Sequence, residues 1–85
     1  MKLKPTGINE RKERKMLVAI YEENTKLRPE LIKVHKYASD GLLRVEAIGV
    51  GYAHEVGGAY KTIREVEQYL SERSKIFGYT RIALF

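Results

Sequence analysis

Asp40-Gly41 lies between two stretches in which apolar and polar residues alternate, residues 31–38 and 42–52. Asp-Gly is among the strongest short-range hairpin signals, because a two-residue hairpin turn needs backbone conformations that glycine and aspartate tolerate. With Asp40 and Gly41 as the turn, Ser39 pairs with Leu42 and the whole register follows. One face then carries Ala38 opposite Leu43, Lys36 opposite Val45, Val34 opposite Ala47 and Ile32 opposite Gly49. The other carries Tyr37 opposite Arg44, His35 opposite Glu46, Lys33 opposite Ile48 and Leu31 opposite Val50. The first face is small and apolar apart from Lys36, and suits packing beneath a helix. The second sets an aromatic ring against a cation and an imidazole against a carboxylate, pairs worth about 0.2–1 kcal/mol each across strands.

The helix that would cover the apolar face is signalled further on. Thr62-Ile63-Arg64-Glu65 has the form of a capping box, in which the threonine oxygen accepts from the third helical amide and the glutamate reaches back. Ile63, Val66, Leu70 and Phe77, with Tyr69 and Ile76 beside them, recur at helical spacing on one face. Gly78 is the residue type that stops a helix in the left-handed conformation. Residues 16–21, with Val18 and Ile20, and residues 79–85, with Ile82 and Leu84, read as strands. Residues 22–29 end in Arg28-Pro29 and read as a loop. Pro5-Thr6-Gly7 interrupts any early element, and residues 8–15 are compatible with a short helix. The expectation is an α+β fold: a small antiparallel sheet of three to four strands, one long C-terminal amphipathic helix, and a short terminal strand.

Size and charge narrow the function. A chain of 85 residues holds one domain with a thin core. Its 16 basic and 11 acidic residues leave a net charge of +5. Residues 1–15 hold Lys2, Lys4, Arg11, Lys12, Arg14 and Lys15 against only Glu10 and Glu13, so most of the excess sits there. The division expected is a basic N-terminal arm over residues 1–15 and a single globular domain over 16–85. Such arms suit nucleic acid, because each cation near a phosphate releases condensed counterions. They equally suit an acidic protein, and a solvated tail is the plain alternative. The chain has no cysteine, which excludes disulfides and thiol chemistry and points to the cytoplasm. Its longest apolar run, residues 17–21, is far short of a membrane span.

Three constellations carry chemistry. Gly49, Gly51, Gly57 and Gly58 surround His54-Glu55 ahead of the helix, but their spacing matches neither common phosphate-binding pattern, and a bent strand with a bulge and a tight turn is the simpler reading. His35 and His54 are the only histidines, and Glu46 has a use as the partner of His35, so no metal or other cofactor is expected. Small ribonuclease toxins are similarly short, basic and cysteine-free, yet they place helices before the sheet, whereas here the strong helix comes late. Lys33, His35, Tyr37 and Arg44 form a basic and aromatic strip over two strands that could stack on bases or contact phosphates.

The order Gly41-Leu42-Leu43-Arg44-Val45, then Val56-Gly57-Gly58-Ala59-Tyr60-Lys61-Thr62, then Glu65 and Tyr69-Leu70 resembles a known pattern. It is similar to the three-stranded-sheet-plus-helix DNA-binding domains of plant ethylene-response factors and to the arm-type domains of phage and transposon integrases. The resemblance covers about thirty residues. It implies a sheet laid in the major groove, with Lys33, His35, Tyr37, Arg44 and the basic arm facing DNA. Two features stand apart from the pattern: Ala53-His54-Glu55-Val56 replaces a basic third strand, and an extra strand follows the helix.

The functional expectation is a small non-enzymatic nucleic-acid-binding protein, DNA ahead of RNA, of a phage or mobile-element regulatory kind. Its candidate contacts are Lys2, Lys4, Arg11, Lys12, Arg14 and Lys15 in the arm and Lys33, His35, Tyr37 and Arg44 on the sheet, with no membrane partner. The alternative is a protein–protein interaction module, such as an inhibitor or accessory subunit. A third expectation is a homodimer through the strand from Tyr79 to Phe85.

Overall fold

The computed structural model describes residues 14–25 and 27–85. Five strands and one helix follow in order: β1 (Lys15–Glu23), β2 (Leu31–Tyr37), β3 (Leu43–Gly49), β4 (Tyr52–Tyr60), α1 (Ile63–Arg73) and β5 (Tyr79–Leu84). The strands form one sheet in the order β4-β3-β2-β1-β5, with every neighbouring pair antiparallel. This corrects the expected fold class, which had three or four strands and a long helix. Two local events account for the difference. A turn at Val50-Gly51 splits residues 42–52 and starts a separate strand, β4, through the glycine-containing segment. The helix ends at Arg73, and Ile76 and Phe77 fall in a turn outside it, 88% and 52% exposed. The early helix considered for residues 8–15 falls mostly outside the described residues. Its last two residues do not join it, since Arg14 is irregular and β1 opens at Lys15.

The hairpin between β2 and β3 keeps the expected faces but not the expected pairs. Leu31 pairs with Ile48, Lys33 with Glu46, His35 with Arg44 and Lys36 with Leu43. The loop holds four residues, because the Gly41 N–H donates to the Tyr37 carbonyl at 2.8 Å and the Tyr37 N–H to the Leu42 carbonyl at 3.0 Å. Gly41 supplies the left-handed backbone, φ 72°, that closes this turn. The Asp40 carboxylate fixes the exit by accepting from the Leu42 N–H at 2.9 Å. Lengthening the loop by two residues preserves which side chains face the core, since strand side chains alternate with a period of two.

The core is the face so defined. Ala19 and Tyr21 of β1, Ile32 and Val34 of β2, and Leu43, Val45 and Ala47 of β3 are buried together with Val66 and Leu70 of α1. Each fully buried aliphatic contributes about 1.5–3 kcal/mol. The helix begins as expected at Thr62, whose side chain accepts from the Glu65 N–H at 3.2 Å. Glu65 Oε1 in turn accepts from the N–H of Lys61, one residue before the cap, at 2.8 Å. The helix packs over β3 and β4, and among the described residues no helix covers the opposite face of the sheet. No helix among the described residues is long and apolar enough to cross a membrane.

Candidate functional site

The uncovered face gathers side chains from four strands. Tyr37 and His35 come from β2, Arg44 and Glu46 from β3, Lys15 from β1 and Glu55 from β4, and together they line a depression of about 180 Å³. Pairing explains the convergence. Lys15 is opposite Tyr37, His35 opposite Arg44, and Glu46 opposite Glu55. Ala59, opposite Arg44 on the edge strand, is too small to cover the guanidinium. Ordinary small-molecule pockets hold about 300–1,000 Å³. This depression therefore admits part of a ligand, such as one planar ring or one charged group, rather than a whole small molecule.

Tyr37 is the centre of the arrangement. The Arg44 guanidinium carbon lies 4.8 Å from the ring centroid and the Lys15 ammonium nitrogen 5.7 Å from it. Both distances fall within the range of cation–π attraction. The Arg44 contact is a diagonal across the two strands, because the longer loop moves Arg44 opposite His35. Arg44 is held in place from two sides. Its Nη2 donates to Asp40 Oδ2 at 2.6 Å and its Nη1 to Oδ1 at 3.3 Å, while Nε stands 3.8 Å from Glu55 Oε2. The hydrogen bond from Arg44 keeps the Asp40 carboxyl below its ordinary range.

His35 is half-buried in the sheet, and its pKa is lowered first by that desolvation and then by the nearby Lys15 charge, with Glu46 acting in the other direction. Its imidazole is therefore neutral at pH 7, offering one donor and one acceptor. Lys33 extends the same face and pairs with Glu46. Lys15, Lys33 and Arg44 share the face with Glu22, Asp40, Glu46 and Glu55, so it carries no excess of positive charge. The expected contacts thus divide. Lys15, Lys33, His35, Tyr37 and Arg44 share one face, with Lys15, His35, Tyr37 and Arg44 lining the depression. Arg14 is exposed at the entry to β1, where its carbonyl accepts from the Ala38 N–H at 2.9 Å. Lys2, Lys4, Arg11 and Lys12 lie outside the described residues.

Sequence reasoning missed Asp40 and Glu55 as groups that position Arg44. Asp40 was legible only as a turn residue, and Glu55 only as a neighbour of His54. Gly57 and Gly58 form an irregularity inside β4, where the partners of Arg44 and Val45 jump from Ala59 to Val56. Among the described residues, no three His, Asp or Glu side chains are grouped to hold a metal ion.

A second concavity, of about 500 Å³, lies on the helix side between α1 and β5, lined by Tyr21, Glu67, Leu70, Ser71, Tyr79 and Arg81 among others. Its polar groups engage one another. Tyr21 donates to Glu67 Oε2 at 2.8 Å, and Arg81 donates to the same oxygen at 3.1 Å. Burial, and then the Glu67 carboxylate, push the Tyr21 hydroxyl pKa upward, so it stays protonated and donating. In comparisons with protein families, curated proteins and solved structures, the chain matches none.

Proposed function

We propose that this protein binds nucleic acid through the uncovered sheet face, with Tyr37 as the stacking platform and the basic arm as the source of electrostatic attraction. The observation that carries the reading is the flanking of one half-buried tyrosine ring by two cations, Arg44 and Lys15, beside a shallow depression on that face. A base stacked on an aromatic ring contributes about 1–3 kcal/mol irrespective of its identity. The lack of a positive excess on the face assigns the two parts different duties. Affinity at a distance comes from Lys2, Lys4, Arg11, Lys12 and Arg14, and short-range contact comes from Lys15, Lys33, His35, Tyr37 and Arg44. Nothing in this arrangement favours a base sequence, and the reading is of binding rather than catalysis.

Fluorescence anisotropy with labelled single-stranded DNA, duplex DNA and RNA at several salt concentrations tests the reading. Binding is expected to weaken as salt rises, to fall strongly without residues 1–13, and to fall about tenfold for Tyr37→Ala in the full chain. Binding that needs the arm but is indifferent to Tyr37 and Arg44 would reduce the activity to a sticky tail. The absence of binding to all three probes at low salt would end the reading.

A further inference from the structure

We propose that β5 pairs with β5 of a second copy of this chain, joining two five-stranded sheets into one across a two-fold axis. The inference does not depend on the nucleic-acid reading. It starts from the contrast between the two edges of the sheet. The β4 edge carries exposed His54 and Glu55, polar and charged side chains that discourage strands from adding there. The β5 edge carries Ile82 and Leu84, each 54% exposed, and its one charged residue, Arg81, is engaged with Glu67 beneath α1. The turn leading into it adds exposed Ile76 and Phe77.

Register explains why the occupant is a copy rather than an unrelated strand. The pairing of β1 with β5 shifts by one residue at Ile82, since Ile20 pairs with Ala83 and Tyr21 with Arg81. Tyr79 and Leu84 consequently point to the same face, although five residues apart. In an antiparallel pair about a two-fold axis, Tyr79 meets the second copy's Leu84 and Thr80 meets its Ala83 with matching faces, while Arg81 stands opposite the extra residue Ile82 at the axis. The hydrogen-bonding groups match as well. The Phe85 N–H donates inward to Val18 at 2.8 Å, and the Gly78 carbonyl accepts inward from Asn24 at 2.9 Å. Alternation along the strand therefore turns the backbone groups of both Leu84 and Tyr79 outward. The same geometry brings the apolar turn Ile76-Phe77 of each copy beside Leu84 of the other.

Area and charge agree. These exposed apolar side chains offer on the order of 500 Å² per copy, before backbone pairing is added, against about 800 Å² per partner in a standard interface. Residues 16–85 hold ten basic and nine acidic residues, so two bodies approach almost without repulsion.

Sedimentation of the full chain over a wide concentration range tests the proposal. Wild type is expected to reach twice the mass of the chain. Ile82→Lys/Leu84→Lys sets one new cation against the second copy's Arg81 and another against its Tyr79, and is expected to weaken association at least tenfold, with an unchanged circular-dichroism spectrum showing that the fold persists. Ala53→Lys, on the opposite edge strand, is expected to leave the mass as in wild type. Hydrogen exchange on wild type adds a readout that needs no variant: the Leu84 amide should be more protected at high concentration than at low. A wild-type monomer at the highest concentration would overturn the proposal. A dimer that survives the double lysine variant, or one whose Leu84 amide exchanges at a rate independent of concentration, would overturn it too.

Discussion

Tyr52 and Tyr79 open the two outermost strands of the sheet, on opposite sides, and both donate their hydroxyls to one carboxylate, Glu30, at 2.7 and 2.8 Å. Arg73, the last residue of α1, completes the cluster, with Nε 3.0 Å from Glu30 Oε1 and Nη2 2.9 Å from Oε2. Glu30 is only 8% exposed. A carboxylate so placed is tolerated because four donors replace the water it has lost.

Removing that charge should be costly. Glu30→Gln leaves Arg73 without a counter-ion, and the loss is expected to be roughly 2–4 kcal/mol, read as a lower urea midpoint at pH 7. The Arg73 hydrogen bonds lower the Glu30 pKa to about 2 from 4.5, against the opposing effect of burial. A depressed folded-state pKa means stability that is complete above about 4.5 and is lost as pH falls toward about 2. Wild type should therefore lose stability across that window more steeply than Glu30→Gln, and parallel denaturation curves at pH 5 and pH 3 measure the difference.

Leu70→Ala should cost about 2–5 kcal/mol, because Leu70 is 2% exposed and is one of two fully buried anchors of α1. Ile76→Ala, at a position that shares the same face on a helical projection, should change stability by less than about 0.5 kcal/mol. Thermal unfolding of the two variants checks this pair, and equal losses would place Ile76 in the core.

The same contrast shows what could be read from the sequence and what could not. Alternation placed Ile32, Val34, Leu43, Val45 and Ala47 on one face, and Thr62 with Glu65 marked where the helix starts, because both signals are local. The end of the helix is not local. Nothing between Leu70 and Phe77 is a poor helix former, and the chain leaves the helix where Arg73 is drawn to Glu30 and Ser74 to Glu23, whose Oε2 accepts from Ser74 Oγ at 3.2 Å. Glu30 itself was hidden, since it follows Pro29 in a segment that reads as loop and its partners stand 22, 43 and 49 residues away. β4 was obscured by Gly57, Gly58 and two alanines, which have weak strand propensity. On the open face, Lys33, His35, Tyr37 and Arg44 were legible as neighbours by alternation. Their exact pairs were not, because they depend on a hydrogen bond from Gly41 that no spacing rule supplies.

Gly57→Ala and Gly58→Ala should behave differently despite being adjacent. Gly57 has φ 70°, and a Cβ there would stand 2.7 Å from the Tyr60 hydroxyl and 3.0 Å from the Tyr69 ring. Gly58 has an ordinary φ and open space around it. The first substitution is expected to cost about 1–2 kcal/mol and the second under 1 kcal/mol, by chemical denaturation.

Asp40→Asn should strengthen nucleic-acid binding if the open face makes the contact. The change removes the charge that occupies Arg44 and leaves the turn a side-chain oxygen for the Leu42 N–H. Affinity should rise at low salt, and the slope of log affinity against log salt should steepen by about one. Arg44→Ala should move both quantities the other way, and a salt titration of the two variants beside wild type gives the comparison.

Glu30 also bears on how the sheet comes apart. A strand at an edge ordinarily frays by itself, since it has one neighbour and opens at small free-energy cost. Here, detaching the start of β5 withdraws the Tyr79 hydroxyl from a carboxylate that Tyr52 and Arg73 also use, leaving the start of β4 and the end of α1 with a weakened anchor. The two margins of the sheet are thus linked in one cooperative opening, although three strands separate them.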